Sequence, residues 1–258
     1  MIDKKEKYKV NLVWTIVIFT AWELVAFFLD KVLHDPMAEA KLPYPHSIII
    51  SIAQNFTDLT SAAGLTFSRA VIGFLLGAAI GFVLAIIMSL SKIAEKIALP
   101  YLIMSQMIPV LGLAPIIFTL ARDMNTSRII IAAYITFFPV SINMLSGLNS
   151  VESDKKELLY SYAAKKNSVY YKLMIPYSLP YLFAGLKIAA PMSITASILV
   201  DMLGSSGGIG VKLLYSLYSG AKDVFWGSVV TCALMGIISY LIVILFEKIC
   251  MPWRKEVA

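Results

Sequence analysis

Long apolar runs alternate with short charged segments along the whole chain, and this alternation predicts its elements. A helix needs about 20 apolar residues to cross the hydrocarbon core of a bilayer. Windows of that length predict six membrane-spanning helices, with both ends of the chain on the same side of the membrane. The predicted spans are residues 10–29, 64–90, 98–120, 128–147, 181–203 and 225–247.

The composition agrees with an all-α, polytopic membrane protein. Of the 258 residues, 59% are hydrophobic and 15% are charged, whereas soluble domains carry about a quarter charged residues. The first apolar run is too long for a signal peptide and has no small-residue cleavage site after it, which predicts a retained helix. We expect one transmembrane domain, residues 1–258, with an N-terminal helix and outer loop (1–62), core helices (63–247) and a cytoplasmic loop (150–180).

The distribution of basic residues predicts the orientation in the membrane. Fourteen lysines and arginines lie on the side of the termini and six in the opposite loops, and the richer side is expected to be cytoplasmic. The net charge of +6 is therefore attributed to topology rather than to nucleic-acid binding. Cys232 and Cys250 lie about 27 Å apart along one predicted helix, which excludes a bridge between them.

Small residues and prolines mark helix contacts and bends. Gly73, Gly77 and Gly81 fall on one face of the second span, a spacing that favours close packing within the chain over a dimer seam. Pro109 and Pro115 are expected to interrupt the third span. In the outer loop, the segment LPYPHS at 42–47 precedes a predicted short helix from residue 48 to 56.

A basic, tyrosine-rich stretch at 157–180 interrupts the apolar pattern on the cytoplasmic side. Asp154 and Glu157 have the spacing of a capping box. An apolar stripe follows at helical spacing, then Lys165, Lys166 and Asn167, and then a second short helical piece that ends before Pro176. Two interpretations remain open from the residues alone: a helix pair lying on anionic headgroups, or a docking element for a soluble partner.

Residues 157–176 resemble the EAA loop of bacterial ATP-binding-cassette importer permeases: Glu-Ala-Ala, three residues, Gly, nine residues, then Ile-x-Leu-Pro. The alignment places Pro176 on the final proline, Glu157 on the glutamate, Leu158 and Leu159 on the alanines, Ala163 on the glycine, and Leu173 and Ile175 on the isoleucine and leucine. Because alanine resists the left-handed turn that glycine permits, Asn167 is expected to supply that turn nearby.

Four further segments resemble the nitrate/sulfonate/taurine-type subfamily of these permeases, in the family's order. They are LPYPHS at 42–47, IPVLGLAPIIF at 108–118, LPYLFAGLKIA at 179–189 and LVDMLGSSGGIG at 199–210, where the family usually carries glutamate at Asp201. The resemblance implies a type I importer permease fold with six transmembrane helices. It also implies a non-enzymatic subunit in a bacterial inner membrane that binds no cofactor, because ATP and Mg²⁺ belong to a partner ATPase.

The resemblance further implies the partners: a second permease copy, a cytosolic ATPase dimer and an extracytoplasmic binding protein. The residues expected to couple to the ATPase are Glu157, Leu158, Leu159, Tyr162, Ala163, Lys165, Lys166, Asn167, Leu173 and Pro176. Pro176 and Pro180 would stop the loop and restart the membrane helix. The chain has no G-x-x-x-x-G-K-[ST], and GSSGGIG at 204–210 is interpreted as a turn into an outer re-entrant segment.

Candidates for the translocation path rest on residue type and position. They are Met104, Met107, Pro109, Met192 and Asp201, with core packing as the alternative for the methionines and for Phe137 and Phe138. Asp201, at the outer end of the fifth span, either lines the path or caps that helix end. Arg69 is expected to snorkel outward, and Glu23 and Lys187 to form ion pairs or headgroup contacts.

Two other classes of function compete with a permease. An ion-coupled secondary transporter is expected to show paired acids near mid-membrane and repeat symmetry, whereas the acids here lie mostly at span ends. An intramembrane enzyme would need a motif such as HExxH, which is absent, or a convincing pair of acids, which the sequence does not show. Within the permease class, the mostly neutral, methionine- and aromatic-rich spans favour a small organic solute over a bare inorganic anion.

Overall fold

Helices make up the secondary structure of the part of the chain that the computed structural model describes. That part is residues 4–34, 37–204 and 206–253, with side chains from Val10 onward apart from Asn11. The helices are α1 Lys4–Phe27, α2 Ala38–Lys41, α3 Pro45–Gln54, α4 Phe56–Leu90, α5 Lys92–Ser105, α6 Val110–Ala121, α7 Met124–Asn149, α8 Ser153–Ser161, α9 Lys166–Val169, α10 Ile175–Met202, α11 Ile209–Tyr218 and α12 Lys222–Cys250. Two π-helical stretches, Phe28–Val32 and Tyr170–Met174, extend α1 and join α9 to α10.

Five of the described helical segments are long and apolar enough to cross a membrane, and one bent pair brings the number to six. The five lie within α1, α4, α7, α9–α10 and α12. The third predicted span, 98–120, is not one straight helix, because α5 and α6 meet at 98°. Only Pro109 lies at this break, as the residue before α6, whereas Pro115 lies inside α6 without interrupting it. A proline disfavours the helical region at the residue before it, which agrees with the break before Pro109, although Pro115 is accommodated within α6.

The chain divides into two units, and the first comprises residues 1–61 and 212–231. Within it, the indole of Trp22 on α1 donates to the carbonyl of Pro43 at 3.0 Å. The Glu23 carboxylate lies 2.8 Å from Nδ1 of His46, a hydrogen-bond distance, which gives Glu23 a structural contact within the chain. The predicted outer-loop helix is also confirmed, although it begins at Pro45, where a proline suits the first turn.

The second unit comprises residues 62–211 and 232–258 and contains most of α4, α7 and α10. The three-glycine face of α4 packs on α7: a Cβ at Gly73 would lie 2.6 Å from the carbonyl oxygen of Ile129, and one at Gly81 would lie 2.5 Å from that of Phe137. Gly77 meets the same helix. The prediction of packing within the chain is therefore confirmed for this face. Lys187 on α10 pairs with Glu247 on α12 at 2.8 Å, as expected.

An apolar core lies where the C-terminal part of α4 meets α5 and α7. Its buried members are Ala85, Met88, Leu102, Met144, Leu145 and Leu148. Phe137, Phe138, Tyr170 and Met174 pack against this cluster. The two phenylalanines therefore pack in the apolar core, in agreement with the prediction of core packing as the alternative to lining the path.

Candidate coupling segment and buried charge network

The predicted coupling segment begins with α8, and its start differs from the sequence prediction. The helix begins at Ser153 after Glu152, and no side chain caps it. Asp154 and Glu157 both lie inside the helix, so the predicted capping box is wrong. Glu152, at the N-cap position, pairs with Lys155 at 3.1 Å and does not cap the helix, and this pair raises the pKa of the Lys155 ammonium.

The helix α8 presents apolar side chains to its surroundings instead of burying them. None of its residues is buried. The side chain of Leu158 is 57% exposed and that of Tyr162, at the end of the helix, is 77% exposed, while Leu159 is half-buried. An exposed apolar face on a short charged helix is suited to docking in a groove of another protein.

A left-handed turn at Ala163 separates α8 from α9. Ala163 has a φ of +59°. Its N–H donates to the carbonyl of Tyr160 at 2.9 Å, and the N–H of Ala164 donates to that of Leu159 at 3.1 Å. These two bonds form a Schellman motif, in which the left-handed residue is usually glycine. The turn therefore lies at the motif's glycine position despite the alanine.

The expectation that Asn167 supplies this turn is wrong. Asn167 lies inside α9, which begins at Lys166 after Lys165. The Schellman bonds already satisfy the last carbonyls of α8 at Ala163, so the chain needs no second left-handed residue.

The prolines after the segment do not interrupt the helix, contrary to prediction. The helix runs from Lys166 to Met202 as one apolar span, with Leu173 half-buried inside the π-helical stretch. Pro176 lies in the first turn of α10 and Pro180 lies inside it. A π-helical turn changes the register of the backbone bonds, so it accommodates a proline that has no N–H to donate.

Two contacts hold the coupling segment against the membrane helices. The ammonium of Lys155 lies 5.0 Å from the ring centre of Tyr177 on α10, within the range of a cation–π contact. The hydroxyls of Tyr170 and Ser89 are hydrogen bonded, which joins the segment to the C-terminal end of α4. Val169, between these anchors, is buried. The segment is therefore exposed at α8 and fixed at its junction with α10.

A buried charge network lies at the other end of α4 and α10. The Asp201 carboxylate is 2.7 Å from Nε of Arg128 on α7 and 3.6 Å from Nη1 of Arg69 on α4. The hydroxyl of Thr66 donates to the same carboxylate at 2.5 Å and accepts from the N–H of Ile209 at 2.9 Å. Three long helices and the start of α11 are thus joined at one aspartate.

The glycine-rich segment between α10 and α11 is folded against this network. Arg69 donates to the carbonyl of Gly207 at 3.2 Å, and Arg128 donates to the hydroxyl of Ser206 at 2.6 Å. Gly208 has a φ of +122°, and a Cβ there would lie 2.8 Å from the Thr66 hydroxyl. Apart from Ser205, which lies outside the described residues, the segment forms a turn before the short helix α11, as predicted.

Two arginines behave differently from their sequence predictions. Arg69 does not snorkel outward, since its side chain is 12% exposed and turns towards Asp201. The sequence places Arg128 among the outer-loop charges, yet it is fully buried five residues into α7. The buried carboxylate explains both, because an arginine in an apolar environment is stabilised by a counter-charge. Arg128 directly follows the polar residues Thr126 and Ser127, so no sequence pattern marks it as a buried charge.

The structure does not bring the path candidates together. Asp201 is buried within its own chain, which favours a structural role at the end of α10 over a role in the path. Met104 and Met107 are exposed beside the bend between α5 and α6, and Met192 is exposed on α10. A cavity of about 460 Å³ between α4, α10 and α12 has an apolar lining to which none of the five candidates contributes. Their role in the path stays a prediction.

These features define a helical integral membrane protein with a broken span and a short exposed helix, α8, outside the apolar spans. The chain belongs to the family described as "binding-protein-dependent transport system inner membrane component", whose model matches residues 77–255. It is thus a permease subunit of an ATP-binding-cassette importer in the inner membrane, and the secondary-transporter alternative is not supported.

Two relatives and one solved structure show the extent of the similarity. The formylaminopyrimidine transport permease protein ThiX of Halalkalibacterium halodurans is 29% identical, over 93% of this chain and 94% of its own length. The putative aliphatic sulfonates transport permease protein SsuC of Bacillus subtilis is 23% identical, over 98% and 90%. The crystal structure of an amino acid ABC transporter with histidines shares the fold, with a TM-score of 0.63 and 16% identity over 77% of this chain and 97% of that chain.

Proposed function

We propose that this permease works as a pair of identical copies and that the segment Glu157–Leu173 of each copy docks on a cytosolic ATPase. The observation that carries the proposal is the exposed apolar face of α8, joined by the Ala163 turn to a helix that continues through the membrane. Closure of the ATPase would push this segment and tilt the attached helices, a rocking change between accessible faces. Both termini would then lie in the cytoplasm.

The position of the path candidates supports a second copy. Met107 is 75% exposed and Met104 lies near it on the surface of the chain. If these residues line a path, that path is completed only when another subunit covers them. Cysteines at Met107, in a chain whose Cys232 and Cys250 are replaced by serine, should then cross-link between two copies.

For the solute, we propose a small organic molecule delivered by an extracytoplasmic binding protein. Support comes from the relatives, which are named for a formylaminopyrimidine and for aliphatic sulfonates. The 29% identity over nearly the whole of both chains favours a nitrogen-containing ring compound over a sulfonate. Binding measurements on the partner binding protein, with compounds of both kinds, test this choice.

Copurification and charge reversal test the coupling proposal. A tagged permease should bring down an ATPase, and Glu157→Lys should lower ATP-driven uptake while the protein still inserts in the membrane. Glu39→Lys is the matched control, since it reverses an exposed carboxylate on the predicted outer side. Uptake that persists without any ATPase, or equal effects of the two reversals, would contradict the proposal.

A further inference from the structure

The coupling segment is hydrogen bonded to a helix other than the one it continues into. The hydroxyl of Tyr170 bonds the hydroxyl of Ser89, which lies one residue before the end of α4. Ser89 already donates its single proton to the carbonyl of Ile86 at 2.8 Å. A serine hydroxyl has one proton and two acceptor sites, so Tyr170 is the donor in the bond between them.

Tyr170 lies where the coupling segment contacts the rest of the chain. Its ring packs on the apolar core formed by α4, α5 and α7, and the preceding Val169 is buried. By contrast, the neighbouring Tyr171 is 69% exposed. Tyr170 also opens the π-helical stretch, and such turns occur often at functional sites. Force applied to α8 and α9 would therefore reach α4 at this contact as well as α10 through the chain.

The helix α4 is built to carry a displacement along its length. It is continuous from Phe56 to Leu90 and contains no proline. Ser89 and Thr66 are 23 residues apart along it, about 35 Å at 1.5 Å per residue. Between them, the three-glycine face packs closely on α7. Packing this close has low compressibility and therefore transmits strain along the contact.

The far end of α4 takes part in the buried charge network. Thr66 and Arg69 bond the Asp201 carboxylate, and Arg69 also holds the carbonyl of Gly207 in the turn before α11. A shift of α4 along its axis would change these bonds directly.

We propose that the hydrogen bond between Tyr170 and Ser89 is a second mechanical connection, through which motion of the coupling segment reaches α4 and, along it, the network at Asp201. The inference rests on the proposed docking of the ATPase on this segment. Tyr170 and Ser89 are positioning residues in it, because they would act through α4 and not on the solute or the nucleotide directly. The alternative is that the bond only stabilises the fold.

The test uses the whole transporter, purified with its ATPase and binding protein and reconstituted in vesicles. Ser89→Ala is the main variant, and it should leave ATPase copurification and ATP hydrolysis unchanged while the solute imported per ATP falls by about two- to tenfold, the factor expected for one hydrogen bond. Tyr170→Phe should lower the same ratio equally, and the double variant should be no worse than either single one. Ser89→Thr keeps the hydroxyl and should restore the ratio.

Ser146→Ala is the matched control, since it removes an exposed serine hydroxyl that donates to the carbonyl of Ile142 within α7 at 2.8 Å, and it should leave the ratio unchanged. A Ser89→Ala transporter with wild-type import per ATP would overturn the inference. So would import, hydrolysis and protein level falling in equal proportion, because that result indicates only a structural role. Failure of the wild-type permease to hold any ATPase would instead contradict the proposed docking, so the two failures are distinguishable.

Discussion

Replacing Ala163 by glycine should stabilise the turn between α8 and α9. An L-residue in the left-handed region costs about 1–2 kcal/mol, and a glycine there avoids that cost. Part of the gain is offset, because glycine has a larger backbone entropy in the unfolded chain. The net gain is about 1 kcal/mol, or roughly fivefold in the opening equilibrium of the turn. The Schellman bond from the N–H of Ala164 to the carbonyl of Leu159 reports on that opening.

Amide hydrogen exchange of the peptide that contains this bond measures the effect. In Ala163→Gly, exchange at residue 164 should slow about fivefold, the factor that follows from a gain of about 1 kcal/mol. Ala164→Gly is the matched control: its φ is not positive, so glycine there should speed exchange through its extra entropy in the open state. Equal changes in the two variants, or faster exchange in Ala163→Gly, would refute the assignment of strain to Ala163.

Three further predictions concern the membrane helices. Asp201→Asn leaves Arg128 buried without its closest counter-charge, which should lower the free energy of unfolding by about 3–5 kcal/mol and reduce the level of folded protein in the membrane. Wild-type protein levels with an altered KM for import would instead support the hypothesis that Asp201 lines the path. Gly81→Ala places a Cβ 2.5 Å from the carbonyl oxygen of Phe137 and should lower the free energy of unfolding of the purified protein by about 1–3 kcal/mol. Gly236→Ala is the control, because a Cβ at that position meets no atom within 4 Å, and it should be close to neutral in thermal unfolding. Hydrogen bonds from Thr126 lower the pKa of the Asp123 carboxyl at the start of α7. The stabilising contribution of this carboxylate is therefore complete above its ordinary pKa of 3.8 and is lost as the pH falls through the lowered pKa. Asp123→Asn should remove that part of the acid dependence of thermal unfolding.

Much of the fold follows from the sequence because its signal is local. Apolar length alone predicts the helices α1, α4, α7, α10 and α12, and the spacing of three glycines predicts the face of α4 that packs within the chain. The EAA-like motif likewise predicts the proposed coupling segment from the order of its residues alone. Each of these patterns is complete within a few helical turns.

The features that the sequence analysis missed depend on residues that are distant in sequence, or on hydrogen bonds that outweigh the backbone preference of a single residue. Arg69 has a long side chain that reaches outward or inward, and its partner Asp201 is 132 residues away. The turn at Ala163 opposes the backbone preference of alanine, and only the pair of Schellman bonds shows why it persists. The π-helical stretch before Pro176 is a register change that no residue pattern marks. Residue type alone therefore predicts the wrong turn residue and the wrong direction for Arg69.

Cross-linking from α8 tests the central claim most directly, namely that this exposed helix contacts the ATPase in the cytoplasm. A single cysteine at Leu158, in a chain whose two native cysteines are replaced by serine, should cross-link to the ATPase in membrane vesicles. It should also resist a membrane-impermeant thiol reagent added outside intact cells. The matched cysteine at Tyr218, which is exposed at the end of α11 on the predicted outer side, should react with that reagent and form no such cross-link. The opposite pattern, with position 158 labelled from outside and free of the ATPase, would contradict the account.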